Sequence, residues 1–376
     1  MAEPLRRKLS QELNVLNGMA LLLCVGYVLL VFFAYLFGSL FLRGTAVLVG
    51  VSVFAWLVVS RRITVELALP LLLLASSVIG IALLNSSESE YRSLFLILVV
   101  ISSAAIAWLA FDERLTFEVF ELPFFVLLLF TFYLVVFRGY GAFEFNSLLA
   151  GSSRNVYSSI LIACAFSYYV SRVYRGQSIP VWPFFLLLLL SFPVYSRSGI
   201  LIAGALLFMV LVRKGSSALV LFFMISLVLI GASGEYLTDI FLNYTNFDKG
   251  LETERYNIWS GYFYSLNLNS FFSGASLDSV SIVDAYGGNP HNAFIRLHAL
   301  WGIGVLLFLG ILAYSFFRMV EDGRYDFAFM LLLVVARAFF DIVFFFNLAD
   351  FFVFPLVFYF AFRDFFKSQC SRGEIA

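Results

Sequence analysis

NGMALLLCVGYVLLVFFAYLF, residues 17–37, decides the fold class. It carries no charged residue and matches the ~20 apolar residues that a helix needs to cross a bilayer. It lacks the two-residue alternation of a barrel strand, so in lipid its backbone can be satisfied only within a helix. Runs of the same kind recur near 42–60, 64–84, 94–111, 122–137, 156–171, 179–195, 198–212, 218–234, 302–318, 326–345 and 348–364, which makes twelve expected spans. The expected fold is an all-α polytopic membrane protein, with residues 1–376 forming a single transmembrane domain. Composition agrees: 62% of residues are hydrophobic, 13% are charged and the mean hydropathy is +0.96, whereas soluble chains hold about 45–50% and 25%. The basic segment MAEPLRRKLSQELN is followed by an apolar run too long for a signal peptide, so the first helix is expected to remain uncleaved.

An even number of spans places both termini on one side, and the lysine and arginine bias identifies that side. Fifteen of the 24 basic residues fall there, including Arg6, Arg7, Lys8, Arg61, Arg62, Arg172, Arg175, Arg213 and Arg363, so both termini are expected to be cytoplasmic. The remaining nine, Arg43, Arg92, Arg138, Arg154, Arg197, Lys249, Arg255, Arg296 and Arg337, stand on or near the face that this bias normally empties of cations. Most of the chain's polar residues outside the spans lie in one large periplasmic loop, 235–301, between the ninth and tenth helices. That loop holds both histidines and a GGNP turn at 287–290. The balance of 24 basic against 24 acidic residues excludes nucleic acid as a partner, because a polyanion selects a dense basic patch. Cys24, Cys164 and Cys370 have neither disulfide-framework nor metal-knuckle spacing.

Several residues could carry chemistry. His291 follows the GGNP turn at the mouth of HNAFIRLHALWGIG, at the boundary of membrane and water, where an imidazole can exchange protons near neutrality. A solvated loop histidine is the alternative. His298 lies seven residues on, which on one helix is two turns away on nearly the same face. The ~10 Å between their backbones is too far for a shared metal. Arg197 stands in PVYSRSGI, a short break between apolar spans, where a cation is costly unless it is paired or used. Arg255 has Glu252 and Glu254 beside it, so a local ion pair competes with a binding role. Arg154 begins a helix within GSSRNVYSS, a place that favours anions. Together these arginines outline a phosphate site, since guanidinium groups bind phosphate oxygens bidentately. Arg337 and Asp341, spaced i to i+4 within the eleventh span, are expected to pair, as a pin between helices or as part of a substrate path.

Three segments stand in a telling order: SRSG at 196–199, ERYNIW and FFSGAS within 254–276, and HNAFIRLHALWGIG at 291–304. Over residues 150–345 this arrangement resembles the bacterial O-antigen polymerase and O-antigen ligase superfamily. In that family one arginine opens a mid-chain helix and a second stands four residues before a tryptophan, as Arg255 does before Trp259. A His-Asn pair then precedes G-x-x-G by nine residues, and here His291 and Asn292 are followed at that spacing by Gly302, with Gly304 one position early. The resemblance implies a glycosyltransferase at the periplasmic face of the bacterial inner membrane, using an undecaprenyl-pyrophosphate-linked glycan as donor. Arg197 and Arg255 would hold the pyrophosphate, joined on the residue reading by Arg154, and His291 would be the general base. Asn292, His298, Arg337 and Asp341 would support the site. No metal, nucleotide sugar or other cofactor is expected. The acceptor would be a lipid-linked repeat unit for a polymerase or lipid A core for a ligase. The short chain, its 47 phenylalanines and the shortened glycine spacing favour the polymerase. Membrane lipids, a chain-length regulator and a flippase would be its partners. A transporter of anionic or lipid-linked substrate is the alternative from another class, although no pair of related halves with interrupted helices is visible.

Overall fold

The computed structural model describes residues 2–84, 90–194, 196–215, 254–285 and 288–370, and among them all regular structure is helical. The expected ninth span, 218–234, and the start of the large loop, 235–253, lie outside the described residues. Among the described residues, six helical stretches are long and apolar enough to cross a membrane: Gly18–Phe37, Leu40–Val59, Leu94–Asp112, Phe117–Arg138, Arg154–Tyr174 and Ala293–Glu321. The chain is thus a polytopic all-helical membrane protein by the length and composition of its helices. Val65–Ile81 and Trp182–Val194 are shorter apolar helices.

In chain order the helices are α1 (Ala2–Phe37), α2 (Leu40–Val59), α3 (Val65–Leu84), α4 (Glu90–Asp112), α5 (Leu122–Arg138), α6 (Ala142–Leu148), α7 (Arg154–Tyr174), α8 (Trp182–Val194) and α9 (Arg197–Lys214). After the large loop begins, α10 (Glu254–Ser265), α11 (Leu268–Ser273), α12 (Ser281–Asp284), α13 (Ala293–Trp301), α14 (Val305–Glu321), α15 (Tyr325–Phe340), α16 (Phe354–Val357) and α17 (Tyr359–Cys370) follow. The core forms around α7, which from Tyr157 to Tyr174 leaves only Arg172 outside full burial. Its small residues Ser158, Ser159, Ala163, Ala165, Ser167 and Ser171 let neighbouring helices approach closely, as packing within lipid requires. Lipid-facing surface is correspondingly aliphatic and aromatic, as at Leu40, Phe41, Leu48 and Val59 of α2.

The last two expected spans are interrupted. Helix α15 stops at Phe340, five residues before the expected end of its span, because Asp341 adopts an extended conformation and its carboxylate accepts the Ile342 N–H at 2.8 Å. The chain then runs as a non-helical strap over 341–347, with Phe345 and Phe346 at φ +66° and +67°. The expected span 348–364 is a 3-10 turn, Leu348–Phe352, followed by α16 and α17. Buried Asp350 accounts for the break by accepting the N–H groups of Phe345 and Asn347 at 3.1 and 2.8 Å. Irregular backbone at membrane depth is tolerated where protein groups satisfy it in this way.

Loops gather at two ends of the bundle. At one end Ala150 N–H bonds to Leu36 O, and there Leu277, Asp278, residues 288–290 and the strap surround one cavity with Tyr35 and Ser152. Residues 254–301 form a small subdomain there, with a core of Ile258, Tyr262, Val280, Val283, Ile295 and Ala299. Two glycines allow its 271–274 segment to pack closely on the end of α13. Gly274, at φ +93°, leaves room for the backbone of His298 and Ala299, and Gly302, at φ +51°, lies against Phe272 O, so a side chain at either position would collide with backbone.

Candidate functional site

Arg337 is the anchor of the loop end, and it is 1% exposed. Its Nε donates to Ser159 Oγ at 2.8 Å and its Nη2 to Asn155 O at 2.8 Å, both on α7. Nη1 reaches Ser196 Oγ at 3.3 Å and also bonds Ser198 Oγ, at the entrance of α9. The expected pairing with Asp341 is present at 3.4 Å, but it is the longest of these contacts. One guanidinium therefore ties α7, α9 and α15 together, and the pin reading describes it better than an isolated ion pair does.

On that anchor sits a second tier. The charge of Arg255, on the first turn of α10, interacts with Asp341, Arg197 and Arg337. Burial lowers the Arg255 pKa, nearby Arg197 lowers it further, and Asp341 opposes both. Trp259, one turn along α10, donates its indole N–H to Pro290 O at 3.0 Å and so ties the Arg255 helix to the turn that carries His291. That contact gives the Arg-x-x-x-Trp spacing a physical reason. Burial also depresses the His291 pKa below the usual imidazole range; the Arg255 cation depresses it further, and Asp341 partly offsets this. His291 is thus neutral at neutrality and able to accept a proton. Its backbone is in the left-handed region, φ +51°, with its N–H held by Asn289 Oδ1 at 2.8 Å. A left-handed non-glycine residue of this kind is uncommon and costs energy that the surrounding contacts must supply.

The residues brought together are Arg197, Arg255, His291, Arg337 and Asp341. Three others stand apart in role. Asn292 is the N-cap of α13, its Oδ1 accepting the N–H groups of Phe294 and Ile295 at 2.9 and 3.1 Å. Because that cap starts the helix after His291, the two histidines do not share a helix face as expected. His298 faces the subdomain core. Phe271 O can only accept, so His298 Nε2 donates to it at 3.0 Å, and Nδ1 accepts the Tyr262 hydroxyl at 2.7 Å. Both of its nitrogens are occupied by this structural lock. Arg154 opens α7 directly before Asn155, with its backbone N–H on Asn146 Oδ1 at 3.1 Å. Glu252, named as a partner of Arg255, lies outside the described residues. Among the described residues no three His, Cys, Asp or Glu side chains gather as a metal-binding group.

Sequence reasoning missed the hydroxyl groups of Ser159, Ser196 and Ser198, which complete the Arg337 shell, and a polar cavity lined by Arg43 and Arg296. The serines lay inside SRSG and NVYSSI, but serine in membrane helices is too common for its presence to mark a site. No family model, no curated protein and no solved structure matches the chain.

Proposed function

We propose that the protein is a membrane glycosyltransferase that polymerises O-antigen or a related surface polysaccharide, using a glycan linked to undecaprenyl pyrophosphate as donor. The proposal includes twelve spans, cytoplasmic termini and a periplasmic active site in the bacterial inner membrane. The observation that carries it is the convergence of Arg197, Arg255 and Arg337 beside one neutral histidine, with Asp341 interacting with both Arg255 and His291.

The chemistry follows from that set. His291 accepts the proton of the acceptor hydroxyl as its oxygen forms a bond to the anomeric carbon. The bond from that carbon to the pyrophosphate oxygen breaks from the opposite face, its electron pair leaves with the lipid pyrophosphate, and the configuration inverts. Charge grows on the departing oxygen, and Arg197 and Arg255 stabilise it. Arg337, held by three serine hydroxyls and a carbonyl, positions both the Arg197 segment and Asp341. Transfer to lipid A core by the same steps would make the protein a ligase.

The test is glycan transfer by the purified protein in liposomes. His291→Ala is expected to abolish elongation while the protein elutes and melts as the wild type does, and transfer persisting near the wild-type rate would overturn the base assignment. Deleting the gene then separates the acceptors: core bearing one repeat supports polymerisation, bare core supports ligation, and an unchanged lipopolysaccharide ladder rejects both.

A further inference from the structure

Arg43 and Arg296 take no part in the steps above. Together with Tyr35, Ser152, Asn289 and Asn347 they line a cavity of about 550 Å3 at the same end of the bundle. The cavity shares two walls with the proposed active site. One is the strap, whose Asp341 belongs to the catalytic cluster while Ile342 and Val343 line the cavity. The other is the turn in which Asn289 and Pro290 line the cavity and the next residue is His291.

The charges of the cavity are defined by four groups. Arg296 interacts with Arg43, Tyr35 and Asp350, and its Nη1 donates to Ile342 O at 3.1 Å. The Asp350 carboxylate is already engaged by the N–H groups of Phe345 and Asn347. Among the described residues Arg43 makes no ion pair, and the exposed carboxylate of Asp278 lies at the rim. Two guanidinium groups placed near one another repel, and Asp350 offsets this at Arg296, which leaves the Arg43 guanidinium to attract an anion into the cavity.

A second cavity supplies the rest of a ligand. An apolar groove of about 280 Å3 runs along the surface between α1, α5 and α7, walled by Val25, Leu29, Phe33, Val126, Phe130 and Ile160. Tyr35 lines both the groove and the cationic cavity, and the neighbours Val156 and Tyr157 line one each. Groove residues on α1 extend from Val25 to Leu36, about 16 Å at 1.5 Å per residue. That is roughly one leaflet of a ~30 Å hydrocarbon core. The pair of cavities is shaped for an amphiphile with an anionic oxygen-rich head and one long hydrocarbon chain.

We infer that the Arg43–Arg296 cavity and its adjoining groove bind a second polyprenyl lipid through its phosphate head, beside the turn that carries His291. Its role as the seat of the acceptor rests on the glycosyltransferase reading, whereas the binding itself does not. Placing the acceptor there would set it against the turn that carries His291, within reach of a base for the acceptor hydroxyl.

Native mass spectrometry of the detergent-purified full chain with polyprenyl pyrophosphate tests the site without any reaction. The wild type is expected to retain two lipids, Arg255→Ala one, and Arg43→Gln one. Arg43→Gln is the main variant because Arg296 also holds the strap, and Val126→Trp, which fills the groove at a lipid-facing position, is expected to lower occupancy in the same way. A wild-type stoichiometry of one, or two lipids retained by Arg43→Gln, would overturn the inference. So would displacement of the second lipid by phosphatidylglycerol at equal concentration, which would mark an ordinary phospholipid groove. In the transfer assay Arg43→Gln is expected to raise the acceptor KM about tenfold or more, the effect of one lost charge-assisted contact, with the donor KM unchanged; a rise confined to the donor KM would reject the acceptor role. If no transfer occurs with any variant, the enzymatic reading fails while the lipid count still decides the site.

Discussion

The two ends of the bundle use arginine in opposite ways. At the end away from the large loop, arginines close on carboxylates. Arg62 meets Asp112 and Glu113 at 2.7 and 2.5 Å, Arg175 meets Glu121 at 3.0 Å, Arg213 and Arg324 share Asp326 at 2.8 and 3.2 Å, and Arg363 pairs with Asp322. At the loop end Arg255 and Arg337 both interact with Asp341, Arg197 stands beside Arg255, and Arg296 interacts with Arg43 as well as with Asp350. The first arrangement neutralises itself and asks for nothing further. The second sets cations beside cations as well as beside carboxylates, so that each guanidinium works against the charge of the next. Arginine near a membrane surface is therefore informative only once its neighbours are known.

The largest effect expected from breaking this contrast is on folding. Arg337→Leu leaves three serine hydroxyls and Asp341 without their donor and should cost about 3–5 kcal/mol, as when one partner of a buried ion pair is removed. Thermal or denaturant melting of the detergent-solubilised protein reads it. Arg255→Ala should leave the melting temperature nearly unchanged and reduce kcat about 10²–10³-fold, the scale of losing one group that stabilises developing charge; single-turnover transfer assays measure this.

Arg255→Gln sharpens the comparison through pH. Because Arg255 and burial lower the His291 pKa, the wild-type rate should fall only as pH drops below the usual imidazole range, where the base becomes protonated. Removing the Arg255 cation should raise that pKa and move the acid limb of log kcat/KM to higher pH. An unmoved limb would place the titrating group elsewhere. Tyr262→Phe takes the donor from His298 Nδ1 and should cost about 1 kcal/mol of stability with the acid limb in place, which distinguishes the locked histidine from the reactive one. Arg318→Ala, at an exposed pair with Glu321 on the opposite end, should change stability by less than about 1 kcal/mol and leave transfer unaltered.

Much of the fold was legible because lipid imposes a length on every crossing helix, as at Gly18–Phe37 and Leu40–Val59. Hydropathy failed where polar groups act on the backbone. The runs at 326–345 and 348–364 are apolar enough for helices, but Asp341 and Asp350 hold the chain between them in another form. For the candidate site, the arginines that violate the charge bias and the histidine after GGNP were visible, since their cost in that setting marks them. Asn292 and His298 were expected to support the site, and their partners show that one caps α13 and the other locks Tyr262 to Phe271. Arg43 and Arg296 also stood among the exceptions to that bias, but that they line one cavity could not be read from a spacing of about 250 residues.

Composition and the periodic recurrence of uncharged runs were enough to determine a helical membrane protein with cations clustered on one set of loops. Tertiary structure alone decided which cations meet. Arg197, Arg255, His291, Arg337 and Asp341 come from four separate segments, and Coulomb interactions depend on distances through space that the order of residues does not contain.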